Sequence, residues 1–191
     1  MRRTAVPVAV ALLLMGVAGC DSGDPGTNRP NSASPSATAA SVDPEAITEQ
    51  GVGPFRIGGD VQPLVAEGIL VKETDGFCPL SFSGTDEWKG IWILPDDSGS
   101  RIEQIYIDEP MTSATVEGIQ IGSPGTKLAE TYGTKLRRYT SKIYAESKFD
   151  LLDHGSVSIA FYADETGNVK RIMVGKTALL EMAAEYGEPA C

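Results

Sequence analysis

The only histidine, His154, lies among side chains of the kinds that build a hydrolytic triad, since Asp150, Asp153, Ser156 and Ser158 are close to it in sequence. A triad needs three groups that converge in space, which neighbours along one strand or turn seldom do. We therefore interpret this stretch as a turn between strands. The sequence also lacks Gly-x-Ser-x-Gly, His-Glu-x-x-His and a phosphate-binding glycine loop, so it predicts neither catalytic residues nor a cofactor.

Two acidic segments, Asp96–Gly99 and Asp164–Gly167, raise the question of a calcium site. Calcium takes roughly six to eight oxygen atoms from a loop of fixed geometry, and the spacing of Asp96, Asp97 and Ser98 matches no complete loop. Both segments are better interpreted as solvated hairpin turns. Because the chain has no Cys-x-x-Cys pair either, the sequence predicts no metal site.

Cys20 closes a leader with the layout of a secretory signal. Arg2 and Arg3 make a positive start, an apolar run covers residues 5–17, and small residues precede the cysteine. A transmembrane helix needs roughly 20 apolar residues, so the run is too short to be one. Residues 1–19 are therefore predicted to be a signal peptide.

The end of this leader, Val17-Ala18-Gly19-Cys20, resembles the lipobox of bacterial lipoproteins. The resemblance implies cleavage before Cys20 and acylation of both its thiol and the new amino terminus. More than one acyl chain makes a lasting membrane anchor, so the domain is expected on the extracytoplasmic face of a cell membrane. The alternative is an ordinary secretory signal in which Cys20 is incidental.

The charge of the chain argues against several classes of partner. Loss of Arg2 and Arg3 changes the net charge from −10 to −12. A protein this acidic is repelled by nucleic acid and by anionic lipid. We therefore expect no nucleic-acid partner, and any hold on a membrane must come from the lipid.

Residues 20–48 are predicted to be a tether, and the two remaining cysteines are predicted to pair. The segment after Cys20 is rich in Asp, Ser, Gly, Pro, Thr and Ala, so it is predicted to be a disordered tether; its composition also suits O-glycosylation. Outside the cytoplasm, Cys78 and Cys191 are expected to form one disulfide, with two buried free thiols as the alternative.

Residues 49–191 are predicted to form one α+β domain with two copies of one unit, residues 51–108 and 116–175. Each copy opens with Ile-Gly, continues into a short helix centred on Leu64 or Leu128, and stops at a glycine. The four glycines concerned are Gly58 and Gly122 at the turn into the helix, and Gly68 and Gly133 at its end.

Each copy continues as antiparallel strands around an acidic turn. The patterns predict hairpins over residues 91–107 and 159–174, one further strand in each copy at 79–83 and 147–152, and a connector at 108–115. Alternation puts Ile105 with Ile107, and Ile172 with Val174, on one face. A last helix is predicted over 177–186, with Thr177 as its N-cap and Leu179, Leu180 and Met182 against the sheet.

The Ile-Gly…Leu…Gly pattern of residues 51–175 resembles the β-lactamase inhibitory protein and the small outer-membrane assembly lipoproteins of the SmpA/BamE type. It departs from them at Gly59 and Ser123, where Met commonly follows the glycine. The resemblance implies the tandem fold, and taken literally it implies inhibition of an extracellular hydrolase such as a β-lactamase. A fold by itself does not assign a target.

A basic stretch and two tryptophans are the candidate partner-binding residues. Arg137, Arg138 and Tyr139 lie in the one basic stretch of an acidic domain, which fits either a dock for an anionic partner or a solvated face balanced by nearby acids. Trp88, between Glu87 and Lys89, is expected to be exposed and to bind. Trp92, in an apolar strand, is expected in the core.

These features favour a non-enzymatic binding module that is anchored to a membrane and recognises a protein or a cell-envelope polymer. The first alternative is an inhibitor of an extracellular hydrolase. The second is a small-ligand receptor or an enzyme with an unrecognised site, for which a deep apolar pocket with converging polar groups is the expected sign.

Overall fold

The computed structural model describes residues 43, 45–75, 78–143, 148–187 and 189. The described part of the chain is α+β, as predicted, with a large antiparallel sheet and three α-helices. The predicted signal peptide, Cys20, most of the tether and Cys191 lie outside the described residues. No helix in the described ranges has both the length and the apolar character needed to cross a membrane.

The order of strands in the large sheet is β3-β4-β5-β6-β10-β9-β8-β7, after a short ribbon of β1 and β2. The strands are β1 (Gly51–Val52), β2 (Phe55–Arg56), β3 (Leu70–Lys72), β4 (Phe82–Gly84), β5 (Ile91–Pro95), β6 (Ile102–Ile107), β7 (Leu136–Thr140), β8 (Lys148–Asp153), β9 (Val157–Ala163) and β10 (Val169–Lys176). The helices are α1 (Val61–Ala66), α2 (Gly125–Tyr132) and α3 (Thr177–Tyr186).

Both predicted hairpins are present, as β5–β6 and β9–β10, and they meet at the middle of the sheet. Strand β6 pairs with β10, so that Ile107 lies opposite Ile172 and Ile105 opposite Val174. These four side chains are buried in one cluster with residues of α1 and α2, which confirms the predicted alternation. The central strands therefore owe their register to a shared apolar face.

Within the large sheet, the edge strands β3 and β7 are the two that the sequence patterns missed. The further strands predicted at 79–83 and 147–152 correspond to β4 and β8 with shifted bounds, and each has an outer neighbour. Strand β7 consists of Leu-Arg-Arg-Tyr-Thr and is not fully buried at any position. Edge strands commonly carry exposed charges, which removes the alternation that a sequence pattern needs.

The predicted turn glycines have the backbone that their positions require. Gly58 and Gly122 have positive φ, 77° and 84°, shortly before α1 and α2 begin. Gly68 and Gly133, which follow the two helices, also have positive φ. A residue with a Cβ is strained in this region of φ, so the two predicted helix boundaries are confirmed.

Helix α3 covers the opposite face of the sheet, against β7–β10, and two predictions for it were wrong. Met182 does not pack on the sheet: 49% of it is exposed, while Leu180, Ala183 and Ala184 are buried. Positions i, i+3 and i+4 share one helical face, and Met182 lies beside that face. Thr177 is the first helical residue rather than the N-cap, and its hydroxyl donates to the Gly155 carbonyl at 2.7 Å.

Candidate binding surface

The predicted basic residues of β7 are engaged within the molecule. Arg138 donates to both carboxylate oxygens of Asp150 on β8, at 2.7 and 3.0 Å. Arg137 is ion-paired with Glu181 of α3, which also accepts a hydrogen bond from the Tyr139 hydroxyl at 2.9 Å. Hydrogen bonding to Asp150 raises the pKa of Arg138. A partner must compete with these carboxylates, which favours the interpretation of β7 as a balanced, solvated face.

Trp88 is only partly exposed, because its ring closes one end of the core. It meets Phe55 edge-on, with ring centroids 5.2 Å apart, and it packs against the cluster on the α1 and α2 side of the sheet. A Cβ at Gly53 would come within 2.1 Å of its ring. The expectation that Trp88 is exposed is therefore wrong, while its role in partner binding stays a prediction.

Trp92 was expected in the core, but it lies half-buried on the α3 side of the sheet. Its ring tilts against Tyr106 at a centroid distance of 5.0 Å. Trp92 is paired with Ser83, and Ser83 with Val71, which is 52% exposed. Paired residues point to the same face, so Trp92 and Val71 belong to one row of side chains across β3–β5. We call this row, Val71, Ser83 and Trp92, the open row.

An ion pair borders the open row beyond Tyr106. Arg171 donates to both carboxylate oxygens of Asp108, at 2.7 and 2.8 Å, and its guanidinium lies 5.5 Å from the centre of the Tyr106 ring. Burial disfavours the charge on Arg171, but the hydrogen bonds and attraction of Asp108 outweigh it and raise the pKa. The Tyr106 hydroxyl donates to Gln104 at 2.9 Å. The support beneath Trp92 is therefore fixed by polar contacts.

A cleft of about 430 Å³ lies next to the open row, between α3 and the β5–β6 hairpin. Its lining is mostly apolar and includes Leu80, Leu94, Leu179 and the exposed Met182. Its remaining lining residues are Pro79, Pro95, Asp96, Asp97, Glu103 and Gln104. Leu94 is the second residue after Trp92 on the same strand and therefore faces the same side, so cleft and open row adjoin.

The acidic turns use their first carboxylate to close the hairpin. Asp96 accepts from the Ser98 hydroxyl and the Ser100 amide, both at 2.9 Å, and Asp164 accepts from the Thr166 hydroxyl and from the Thr166 and Asn168 amides. Hydrogen bonding from Ser100 lowers the pKa of Asp96, and that from Thr166 lowers the pKa of Asp164. In the residues described, no group of three or more His, Cys, Asp or Glu side chains has the arrangement of a metal site.

His154 lies in a turn, whereas Cys78 belongs to the cluster against which Trp92 of the open row packs. His154 is in the turn between β8 and β9, as predicted, where its amide donates to the Val157 carbonyl at 3.1 Å. Cys78 is buried in the cluster that contains Leu94 and Leu180. Its predicted partner, Cys191, lies outside the described residues.

Val71, in the open row, and Met182, in the cleft lining, are exposed residues that the sequence interpretation did not identify as such. Val71 is on an unpredicted edge strand, so no pattern identified its face. For Met182 a signal was available: α3 carries Leu179, Leu180, Met182, Ala183 and Ala184, which is more apolar side chains than a single stripe can bury.

Comparison with known proteins provides no family. No protein-family model matches the chain, and no curated protein matches it. Among solved structures, the crystal structure of a cysteine-rich secretory protein from Staphylococcus aureus is similar with 13% identity and a TM-score of 0.44. The similarity covers 77% of this chain but about half, 55%, of that protein. A TM-score this low does not bear on function.

Proposed function

We propose that this chain is a non-enzymatic lipoprotein, held on the extracytoplasmic face of a cell membrane by acylated Cys20, whose domain binds a protein or an envelope polymer. The leader and Val17-Ala18-Gly19-Cys20 support the anchor. The observation that carries the binding function is the open row beside the cleft. Apolar and aromatic side chains that remain accessible together are typical of interaction surfaces.

The anchor is tested by mass spectrometry of the mature amino terminus and by fractionation of a Cys20→Ser variant. We expect a chain that begins at an acylated Cys20 and a variant that leaves the membrane fraction. An unmodified thiol at Cys20, or a retained leader, overturns the proposal of a lipid anchor.

Binding is tested in intact cells with a photo-crosslinking residue at position 71. Position 116 is the matched control, since Val116 is also an exposed valine but lies in the loop between β6 and α2, outside the open row. We expect a discrete crosslinked species from position 71 that is lost on Trp92→Ala. Equal crosslinking from positions 71 and 116, or none from either, contradicts the role of the open row.

We further propose that the two halves of the sheet are copies of one unit. Each half is a short helix followed by four strands in sequence order, α1 with β3–β6 and α2 with β7–β10. The turn hydrogen bonds also correspond: the Gly58 amide donates to Ile102 and the Gly122 amide to Val169, each at 2.7 Å. Bonds of 2.9 Å return from Ile102 and Val169 to the residue after each glycine.

This organisation is also the observation that favours inhibition of an extracellular hydrolase, because tandem helix-plus-strand units are what the resemblance to the β-lactamase inhibitory protein implies. Assay of the purified chain against a panel of β-lactamases and other extracellular hydrolases separates the two functions. Inhibition that disappears with Trp92→Ala supports the function as a hydrolase inhibitor. If no enzyme in the panel is inhibited, the function as a non-enzymatic binding module is favoured.

A further inference from the structure

We propose that the cleft between α3 and the β5–β6 hairpin binds a cationic segment of a partner protein, with an apolar side chain of that segment seated between Lys or Arg residues. The proposal rests on the binding function above and specifies the chemistry of the partner. It is carried by the apolar lining of the cleft together with the carboxylates around it.

The apolar part of the cleft comes from a second stripe on α3. Leu180, Ala183 and Ala184 pack on the sheet, whereas Leu179 and Met182 are one turn apart on the adjacent stripe and line the cleft. Leu80 and Leu94 supply the opposite wall. The volume of about 430 Å³ lies within the roughly 300–1,000 Å³ usual for ligand pockets. Side chains of aliphatic size can therefore enter it.

The charged part of the cleft is negative. Asp96, Asp97 and Glu103 are among its lining residues. Lys176 pairs with Glu103, and within the described residues Asp97 has no ion-pair partner. Arg101 lies on the same hairpin, but it pairs with Asp60 at 3.4 Å. The carboxylates therefore outnumber the cations that could neutralise them.

A cationic peptide with an apolar residue satisfies both parts of this lining. Nucleic acid and other polyanions are repelled by the carboxylates. A neutral polymer makes no favourable charge interaction with the carboxylates. An apolar side chain seated on Leu179 and Met182 removes apolar surface from water. Neighbouring lysines or arginines then lie close to Asp97 and Glu103, where complementary charge raises both specificity and association rate.

The test uses the acylated mature chain in detergent micelles, labelled at its methionine methyl groups for NMR. The probes are acetyl-Lys-Lys-Leu-Lys-Lys-amide and two matched peptides, one with Ser for Leu and one with Glu for every Lys. We expect the first peptide alone to shift the Met182 methyl signal saturably. The double variant Asp97→Asn/Glu103→Gln should weaken this binding about three- to tenfold and reduce its salt dependence.

The control variant Asp86→Asn/Glu87→Gln removes two exposed carboxylates from the 3-10 helix Asp86–Trp88, away from the cleft lining, and it should bind like the parent chain. Thermal melts of both double variants show whether the fold is intact. Equal binding of all three peptides, or no shift at Met182, overturns the assignment of the cleft. In that case a crosslink from position 71 still supports the binding module, so the two proposals fail separately.

Discussion

At the residue scale, the ion pair of Arg171 and Asp108 lies beside the ring of Tyr106, against which Trp92 packs. The side chains of Arg171 and Asp108 are 35% and 32% exposed, whereas those of the surface pair Arg101 and Asp60 are 57% and 51% exposed. Water screens an exposed pair strongly, so its contribution is small. A half-buried, doubly hydrogen-bonded pair loses more when one partner is removed, because the remaining charge is left poorly solvated.

We therefore expect Asp108→Asn to lower the free energy of unfolding by about 1–2 kcal/mol, measured in urea. The matched variant Asp60→Asn should cost less than about 0.5 kcal/mol. Equal losses from the two variants would show that burial of the Arg171 pair has no energetic consequence.

The turn carboxylates Asp96 and Asp164 predict that the stability of the fold depends on pH in the acidic range. Their pKa values are lowered in the folded chain by hydrogen bonds within the turns. Stability from these bonds is therefore complete above the unfolded pKa of about 4 and is lost as the pH falls through the folded pKa. The stability difference between the parent chain and Asp96→Asn should shrink below pH ~4, while Asp75→Asn, outside the turns, is the control. Carboxyl-carbon NMR titration midpoints at or above about 4 would refute the predicted shift.

At the element scale, α3 carries a core residue, Leu180, and a residue of the proposed binding cleft, Met182, on adjacent stripes. Leu180 is fully buried against the sheet, so Leu180→Ala should cost about 2–4 kcal/mol of unfolding free energy. Met182→Ala, two residues along the same helix, should cost less than about 1 kcal/mol because the side chain is half exposed. Urea unfolding of both variants distinguishes the stripes, and a similar loss from each would mean that Met182 packs more closely than the cleft geometry indicates.

The turns before α1 and α2 make a second prediction for the elements. A Cβ at Gly58 or Gly122 would meet no atom within 4 Å, so the cost of Ala there comes from the positive φ alone. Each Gly→Ala change should destabilise the chain by about 1–2 kcal/mol, and Gly→Asn by less because Asn tolerates this conformation. Thermal unfolding of the four variants provides the comparison. Unequal losses from Gly58→Ala and Gly122→Ala would contradict the proposal that the turns are equivalent.

At the scale of the whole molecule, the predicted disulfide is the contact of longest range. Cys78 is buried in a cluster with Leu180 of α3, and α3 ends at Tyr186, five residues before Cys191. A bond across so long a loop should contribute about 4 kcal/mol in the chain-entropy model. Cys191→Ser should lower the free energy of unfolding by about 4 kcal/mol, while the buried Cys78 side chain itself is not substituted. Alkylation of two thiols in the unreduced, acylated chain would exclude the bond.

The part of the fold that could be predicted was the part with strong periodicity. The hairpins β5–β6 and β9–β10 were recognisable because one face of each strand is apolar, and the helix boundaries because a glycine ends each short helix. Strands β3 and β7 were missed because they are at the edges. The environments of Trp88 and Trp92 were misjudged because neighbouring charges and apolar residues do not tell which side of a sheet is covered.

The sequence by itself determined the class of the fold, its central hairpins, the glycine turns that bound α1 and α2 and the expectation of a lipid anchor, since each follows from local composition or short-range spacing. Only the tertiary structure decided which side chains lie together on a surface. Val71, Trp92 and Met182 are far apart in the chain and carry no shared motif. Strand pairing puts Val71 and Trp92 in one row, and the position of α3 puts Met182 in the lining of the cleft on the same side of the sheet.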